Sequence, residues 1–170
     1  IKNEKFKDII RKTIVTTSLE KSKYELSGIF LELKEGVLSC VATDGRRLSI
    51  YRVKEGVEKI TDKNINALIP GKTLQEIARI IPDEGFVQIN IGDRKVQFKS
   101  ADVDIISNLL TENFPIYERI IPPEGDIKIQ MDREAFLSAV KRAANLTSTD
   151  TKMVLLTVEE EKIDITGERE

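Results

Sequence analysis

Carboxylates are the residues with most scope for chemistry in this chain, because its 170 residues include no His and one Cys. Without imidazole, the commonest general base at neutral pH and the commonest metal ligand are missing, and Ser–His or Cys–His nucleophiles cannot be built. Cys40 alone leaves little from which to make a zinc site. Paired carboxylates can still do acid and base work, and Asp44 with Asp102 or Asp104 is the pair a hydrolase would use. No spacing enforces that pairing. The residue types therefore favour a non-catalytic binding scaffold, with no metal and no cofactor.

Two short segments could carry binding. In Ala42-Thr43-Asp44-Gly45-Arg46-Arg47-Leu48, Asp-Gly between alternating strands predicts a type I′ hairpin turn with Gly45 at positive φ. The segment Asn113-Phe114-Pro115-Ile116-Tyr117-Glu118-Arg119-Ile120-Ile121-Pro122-Pro123 is apolar and proline-rich, and reads as an extended connector between domains. A third group consists of cations on helical faces: Lys7, Arg11 and Lys12, then Lys72 and Arg79, then Arg133, Lys141 and Arg142. Such runs are ordinarily solvated surface, and they can also attract phosphate.

The elements that must position these groups follow from hydrophobic period. Phe6, Ile9, Ile10, Thr13, Ile14 and Thr17 recur at helical spacing, followed by a polar stretch from Ser18 to Lys23. Period-two alternation in Ile29, Leu31 and Leu33, then Leu38, Cys40 and Ala42, then Leu48 and Ile50, predicts three strands. Ala67 to Ile69 predicts a strand ending at Pro70-Gly71, and Leu74, Ile77, Ala78 and Ile81 a helix stopped by Pro82. Val87, Ile89 and Ile91 should pair with Val96 and Phe98 through Gly92-Asp93, and Val103 to Leu110 should form one more strand. If Ile1 to Asn3 ends a strand, the unit β-α-β-β-β occurs twice by about residue 122.

The pattern then restarts. Ile127, Ile129 and Met131 predict a strand, Asp132 a helix cap, and Phe136, Ala139, Val140 and Ala143 a buried helix face. Phe6 matches Phe136, Lys12 matches Arg142 and Thr17-Ser18 matches Thr147-Ser148 at a constant offset of 130. Val154, Leu156 and Val158, then Ile163 and Ile165, repeat the strands after the first helix. The expected organisation is one complete domain over 1–123 and the opening of another over 124–170, cut from a larger protein. A domain stopping after one helix and two strands would leave sheet edges unpaired, and the first residue is Ile in place of Met.

On these residues the chain resembles the bacterial DNA sliding clamps, the β subunit of the DNA polymerase III holoenzyme. Ala42 to Leu48 is similar to that family's Ala-Thr-Asp-Gly-His-Arg-Leu signature, and Phe114 to Ile120 matches, at the right spacing, the segment leaving its middle domain. Arg46 departs from the usual His. The resemblance implies an α+β DNA clamp fold with antiparallel sheets and paired helices on one face. It also implies a processivity factor, a homodimeric ring around duplex DNA, that performs no bond chemistry. The replicative polymerase, clamp loader and repair proteins would dock short linear peptides in a groove lined by Leu26, Thr43, Gly45, Arg46, Arg47, Leu48, Pro115, Arg119 and Ile120. The helix cations named above would face the DNA. A repeat-type interaction module unrelated to replication is the alternative, besides the carboxylate hydrolase.

Global properties agree with either binding role. Lys plus Arg number 27 against 29 Asp plus Glu, a net charge of −2, so any attraction for nucleic acid must come from where the charges sit. No apolar run approaches the roughly 18 residues that span a membrane, and a single Cys suits a reducing compartment. A cytoplasmic protein without membrane contact is expected.

Overall fold

A computed structural model describes residues 1–20, 22–55, 57, 64–147 and 153–167. Lys21, in the polar stretch after the first helix, and Ser148, in the repeat match, lie outside the described residues. The chain divides into two compact units, Ile1–Tyr117 and Glu118–Glu170, within the proline-rich segment.

Helix α1, Asn3–Thr13, forms because Phe6, Ile9, Ile10 and Thr13 make one buried stripe. It has no N-cap side chain. Its first amide instead donates to the Gly85 carbonyl at 3.0 Å, while the buried Asn3 side chain donates to the Glu84 carbonyl and Ser100 Oγ. The helix is shorter than the periodicity to Thr17 predicts, because Ile14–Thr16 tightens into a 3₁₀ turn.

Strands β1 (Gly28–Lys34), β2 (Val37–Thr43) and β3 (Leu48–Val53) form an antiparallel meander. β4, Ile65–Pro70, leads directly into α2, Gly71–Ile80, and β5 (Gln88–Ile91), β6 (Lys95–Ser100) and β7 (Val103–Asn108) follow. Ile81 is extended ahead of Pro82, as the ring of a proline requires of its predecessor.

The sheet orders are β3-β2-β1-β4 and β5-β6-β7. The leading strand of the second repeat thus joins the first repeat's sheet, where Ile69 opposes Ile29. Conversely, Lys2 bridges to Phe86 just ahead of β5. Each repeat lends its first segment to the other, which makes the two copies one folding unit.

Both helices bury their apolar stripes against the sheets. Phe6, Ile9, Leu74 and Ile77 meet Ile29, Leu31, Cys40, Ile69, Val96 and Phe98 in one core. Phe6 and Phe98 lie with ring centroids 5.8 Å apart. Side chains of this size each contribute about 1.5–3 kcal/mol on full burial.

Two turns differ in detail from the sequence pattern. Ile91 opposes Val96 and the Gly92 amide donates to the Lys95 carbonyl, so the tight connector is Asp93-Arg94 and not Gly92-Asp93. Thr43 opposes Leu48, which leaves a loop of four residues, Asp44 to Arg47, where the Asp-Gly pair predicts a two-residue type I′ turn. Gly45 does adopt positive φ, +87°. The longer loop is favoured because side-chain bonds from Thr43 and Asp44 satisfy its amides.

In the second unit, α3 (Arg133–Ala144) is capped by Asp132, whose carboxylate accepts from the Ala135 amide at 2.7 Å. It begins at the offset of 130 from α1. β8 (Val154–Val158) and β9 (Ile163–Gly167) pair antiparallel. At Gly167 an added Cβ would overlap the Ala143 carbonyl, so glycine permits α3 to sit on β9. Of the predicted helix stripe only Ala143 is fully buried. The strand predicted at Ile127 to Met131 does not form: no strand pairs with it among the described residues, and Ile127 is 81% exposed. Lys2 bridges to Phe86, whereas among the described residues 127–131 form no bridge.

Candidate functional site

The four-residue loop after β2 is built from its own side chains. Thr43 Oγ1 donates to the Arg47 carbonyl at 2.7 Å and accepts from the Gly45 amide at 3.1 Å. Asp44 Oδ1 accepts from the amides of Arg46 and Arg47, both at 3.0 Å, and Oδ2 from Arg47 Nε at 3.0 Å. Those two amides, then the Arg47 guanidinium, pull the Asp44 carboxyl down to about 2. Its oxygens are committed to the loop.

That commitment removes the acid–base reading of Asp44. Asp104 is engaged elsewhere, accepting from Gln97 Nε2 at 2.9 Å and lying 3.7 Å from Lys99 Nζ, on the sheet of β5 to β7. Asp102 lies in the turn between β6 and β7. Neither carboxylate shares a hydrogen bond with Asp44.

The loop does bring together several groove residues. Leu26, on the 3₁₀ turn Tyr24–Leu26, is buried, and its Cδ1 lies 3.9 Å from the position of a Cβ on Gly45. The turn is held by the Ser18 amide donating to the Leu26 carbonyl at 2.8 Å. Thr43 and Leu48 are cross-strand partners, and Leu48 is half-buried. Leu26 and Leu48 thereby flank a loop that presents Arg46 and Arg47 to solvent.

Pro115 sits in a segment that sequence composition makes an extended connector. It is anchored on both sides: Phe114 stacks on Phe30 with centroids 5.1 Å apart and planes 2° from parallel, and buried Tyr117 tilts against the same ring. Tyr117 OH also donates to Glu32 Oε2 at 3.2 Å. Pro115 itself is exposed. Arg119 and Ile120 follow on the 3₁₀ turn Tyr117–Ile120, past the unit division, and Ile120 is 58% exposed.

Two depressions among the described residues of the first unit are lined mostly by residues outside the predicted set, Arg47 and Lys72 excepted. One of about 380 Å³ opens between Asp44, Arg47 and the turn at Ile14 and Val15. The other, about 860 Å³, is lined by Ile14, Leu19, Tyr24, Lys72 and Ile106 among others. Leu26, Leu48 and Pro115 line neither.

Most of the helix cations are engaged within the chain, several by the acidic residues Asp8, Glu76 and Glu134 that share their helices. Lys7 pairs with Asp83 at 2.5 Å, and Arg11 and Lys12 both hold Asp8 at 2.7 Å. Arg79 pairs with Glu76 at 2.5 Å and Arg133 with Glu134. Arg142 donates to Ser138 Oγ. Lys72 and Lys141 form no ion pair among the described residues. Asp8 also accepts from Tyr51 OH on β3 at 3.0 Å, a bond no helical pattern reveals.

Repeats that exchange their leading segments, β4 as a strand and Lys2 as a single bridge, with antiparallel sheets and an α-helix from each repeat define an α+β clamp-type domain. The family model described as "DNA polymerase III beta subunit, central domain" matches residues 1–116. The β sliding clamp of Halalkalibacterium halodurans is 32% identical over 152 residues, covering 88% of this chain and 40% of that protein. That of Bacillus subtilis is 32% identical over 147 residues, covering 86% and 38%. The crystal structure of the B. subtilis DNA polymerase sliding clamp superposes with a TM-score of 0.88 at 31% identity, over 97% of this chain and 44% of that one. A Pseudomonas aeruginosa DNA polymerase III β subunit gives 0.90 at 26% identity, over 99% and 46%. The chain belongs to the DNA polymerase III β subunit family, the sliding clamps, and spans less than half the length of these relatives.

Proposed function

We propose that this chain is part of a DNA polymerase processivity factor: residues 1–123 its middle domain, and 124–170 the start of its third. Homodimeric rings of such subunits encircle duplex DNA in the cytoplasm, with affinity arising from topology and diffuse attraction to phosphate. No bond is made or broken, and no cofactor is required.

The observation that carries this reading is the loop from Thr43 to Leu48, whose internal bonds set Leu26 beside Gly45 while leaving two arginines outward. Leu26, Leu48, Pro115 and Ile120 would receive the apolar anchors of a short linear peptide, and Thr43, Gly45, Arg46, Arg47 and Arg119 would orient it. The replicative polymerase, the clamp loader and repair proteins would supply those peptides. Arg46, always charged where the family commonly has a neutral His, favours acidic peptides.

Two measurements test the two parts. The assembled protein should remain on circular DNA and leave it after linearisation; retention on linear DNA with free ends counts against encirclement. Leu48→Asp and Ile120→Asp should abolish titrated binding of a Gln- and Leu-rich clamp-binding peptide. Unchanged affinity in both variants sinks the groove assignment.

A further inference from the structure

On the α1 surface proposed to face DNA, Lys7, Arg11 and Lys12 are each paired with a carboxylate of the chain itself. Asp8 receives Arg11 Nη2 and Lys12 Nζ, each at 2.7 Å, and Tyr51 OH at 3.0 Å. Tyr51 is in turn fixed from the helix, accepting from Lys5 Nζ at 3.1 Å, with the ammonium groups of Lys5 and Lys12 5.2 and 5.0 Å from its ring centroid. Ser49 Oγ on the same strand donates to the Lys12 carbonyl at 2.8 Å. This carboxylate therefore has three donors and is tied to β3, unlike a solitary exposed pair whose geometry fluctuates. Lys12, then Arg11, hold the Asp8 carboxyl well below its ordinary range, so it stays charged at any working pH. On the same helix Lys7 reaches Asp83, in the segment after α2, at 2.5 Å.

Resting on the proposed DNA-facing role of α1, we infer that Asp8 and Asp83 are internal competitors for DNA phosphate that weaken the grip of Lys7, Arg11 and Lys12. A phosphate oxygen approaching these cations must displace a carboxylate oxygen already seated at hydrogen-bond distance. The displaced carboxylate is then left near incoming negative charge, which opposes the exchange. Fewer counterions are released per cation than for unpaired side chains, so affinity and its salt dependence both fall. For a ring held on DNA by topology, weak and interchangeable contacts leave the duplex free to move through it.

The test measures binding of the protein to a short linear duplex by fluorescence anisotropy across a salt series. Asp8→Asn keeps the side chain's size and an acceptor for Tyr51 while removing the charge. It should bind several-fold more tightly at low salt, with a log K against log salt slope steeper by about 1 to 2, since each additional phosphate neutralised contributes about 0.9. Asp83→Asn, at a side chain 87% exposed and so without a folding penalty, should steepen the slope by about 1. Tyr51→Phe, which loosens Asp8 but keeps its charge, should leave the slope near the parent's. If both Asn variants bind with the parent's slope while Arg11→Gln with Lys12→Gln weakens binding, the competition is refuted and the DNA-facing surface stands. If the Gln pair also has no effect, α1 does not face DNA and both readings fall.

Discussion

Replacing Gly45 by Ala isolates the backbone requirement of the loop. Gly45 has φ +87°, and a Cβ there would meet only Leu26 Cδ1 at 3.9 Å, an ordinary contact. The cost is therefore conformational, about 1 to 2 kcal/mol for holding an L side chain at positive φ. With a urea m-value of about 1–3 kcal/mol/M for a domain of this size, the unfolding midpoint should fall by roughly 0.3–2 M. Gly36→Ala is the matched control: it lies in the β1–β2 turn at φ +78° with nothing within 4 Å, and should lose a similar amount. Gly45→Asn should recover part of the loss, because Asn tolerates this region better than Ala. Circular dichroism across a urea series reads all three. A Gly45→Ala midpoint equal to the parent's, with Gly36→Ala lowered, would mean that the loop is not held at positive φ and that its hydrogen bonds do not set its shape.

Acid should act on the same loop. Asp44 has a native value of about 2 against an ordinary 3.8, so the unfolded chain binds more protons between these values, and stability rises with pH there. The carboxylate's contribution is complete above about pH 5, declines as pH falls towards 2 and is absent below. Asp44→Asn should therefore be less stable than the parent at neutral pH and converge with it near pH 2; a difference that is constant with pH contradicts the bonding described. Cys40, buried on β2 with its thiol pushed up to about 12 by desolvation, should resist a thiol reagent at pH 8 in the native protein and react stoichiometrically in denaturant. Rapid native labelling would place it outside the core.

Much of the fold is legible along the chain because burial imposes period. β6 shows it plainly: Val96, Phe98 and Ser100 point inward and Lys95 and Lys99 outward, as alternation requires. The stripe on α1 and the stop before Pro82 are equally local. Where a rule of period or turn fails, contacts that the rule does not count decide. Asp44-Gly45 becomes part of a four-residue loop because Thr43 reaches Arg47. Ile127 to Met131 alternates like a strand, yet alternation describes a surface that can be half-buried and not the partner that buries it.

The site divides in the same way. Residue types alone remove histidine chemistry, and the Thr-Asp-Gly-Arg-Arg run with the Phe-Pro-Ile-Tyr segment is enough to point to a groove and a family. Position in the chain does not reveal that Phe114 stacks on Phe30, that Leu26 lies beside Gly45, or that Tyr51 joins Arg11 and Lys12 on Asp8. Phe30 with Phe114, Leu26 with Gly45 and Asp8 with Tyr51 are each separated by many positions and meet only once the chain has folded. Which residues are apolar, charged or free to turn is written in residue type and spacing, because these are properties of single side chains. The partners of Arg11, Lys12 and Arg79 stand three or four positions away on the same helix and can be read from spacing. The pairing of Lys7 with Asp83, 76 positions on, instead depends on distance in space, and distance in space is what folding creates.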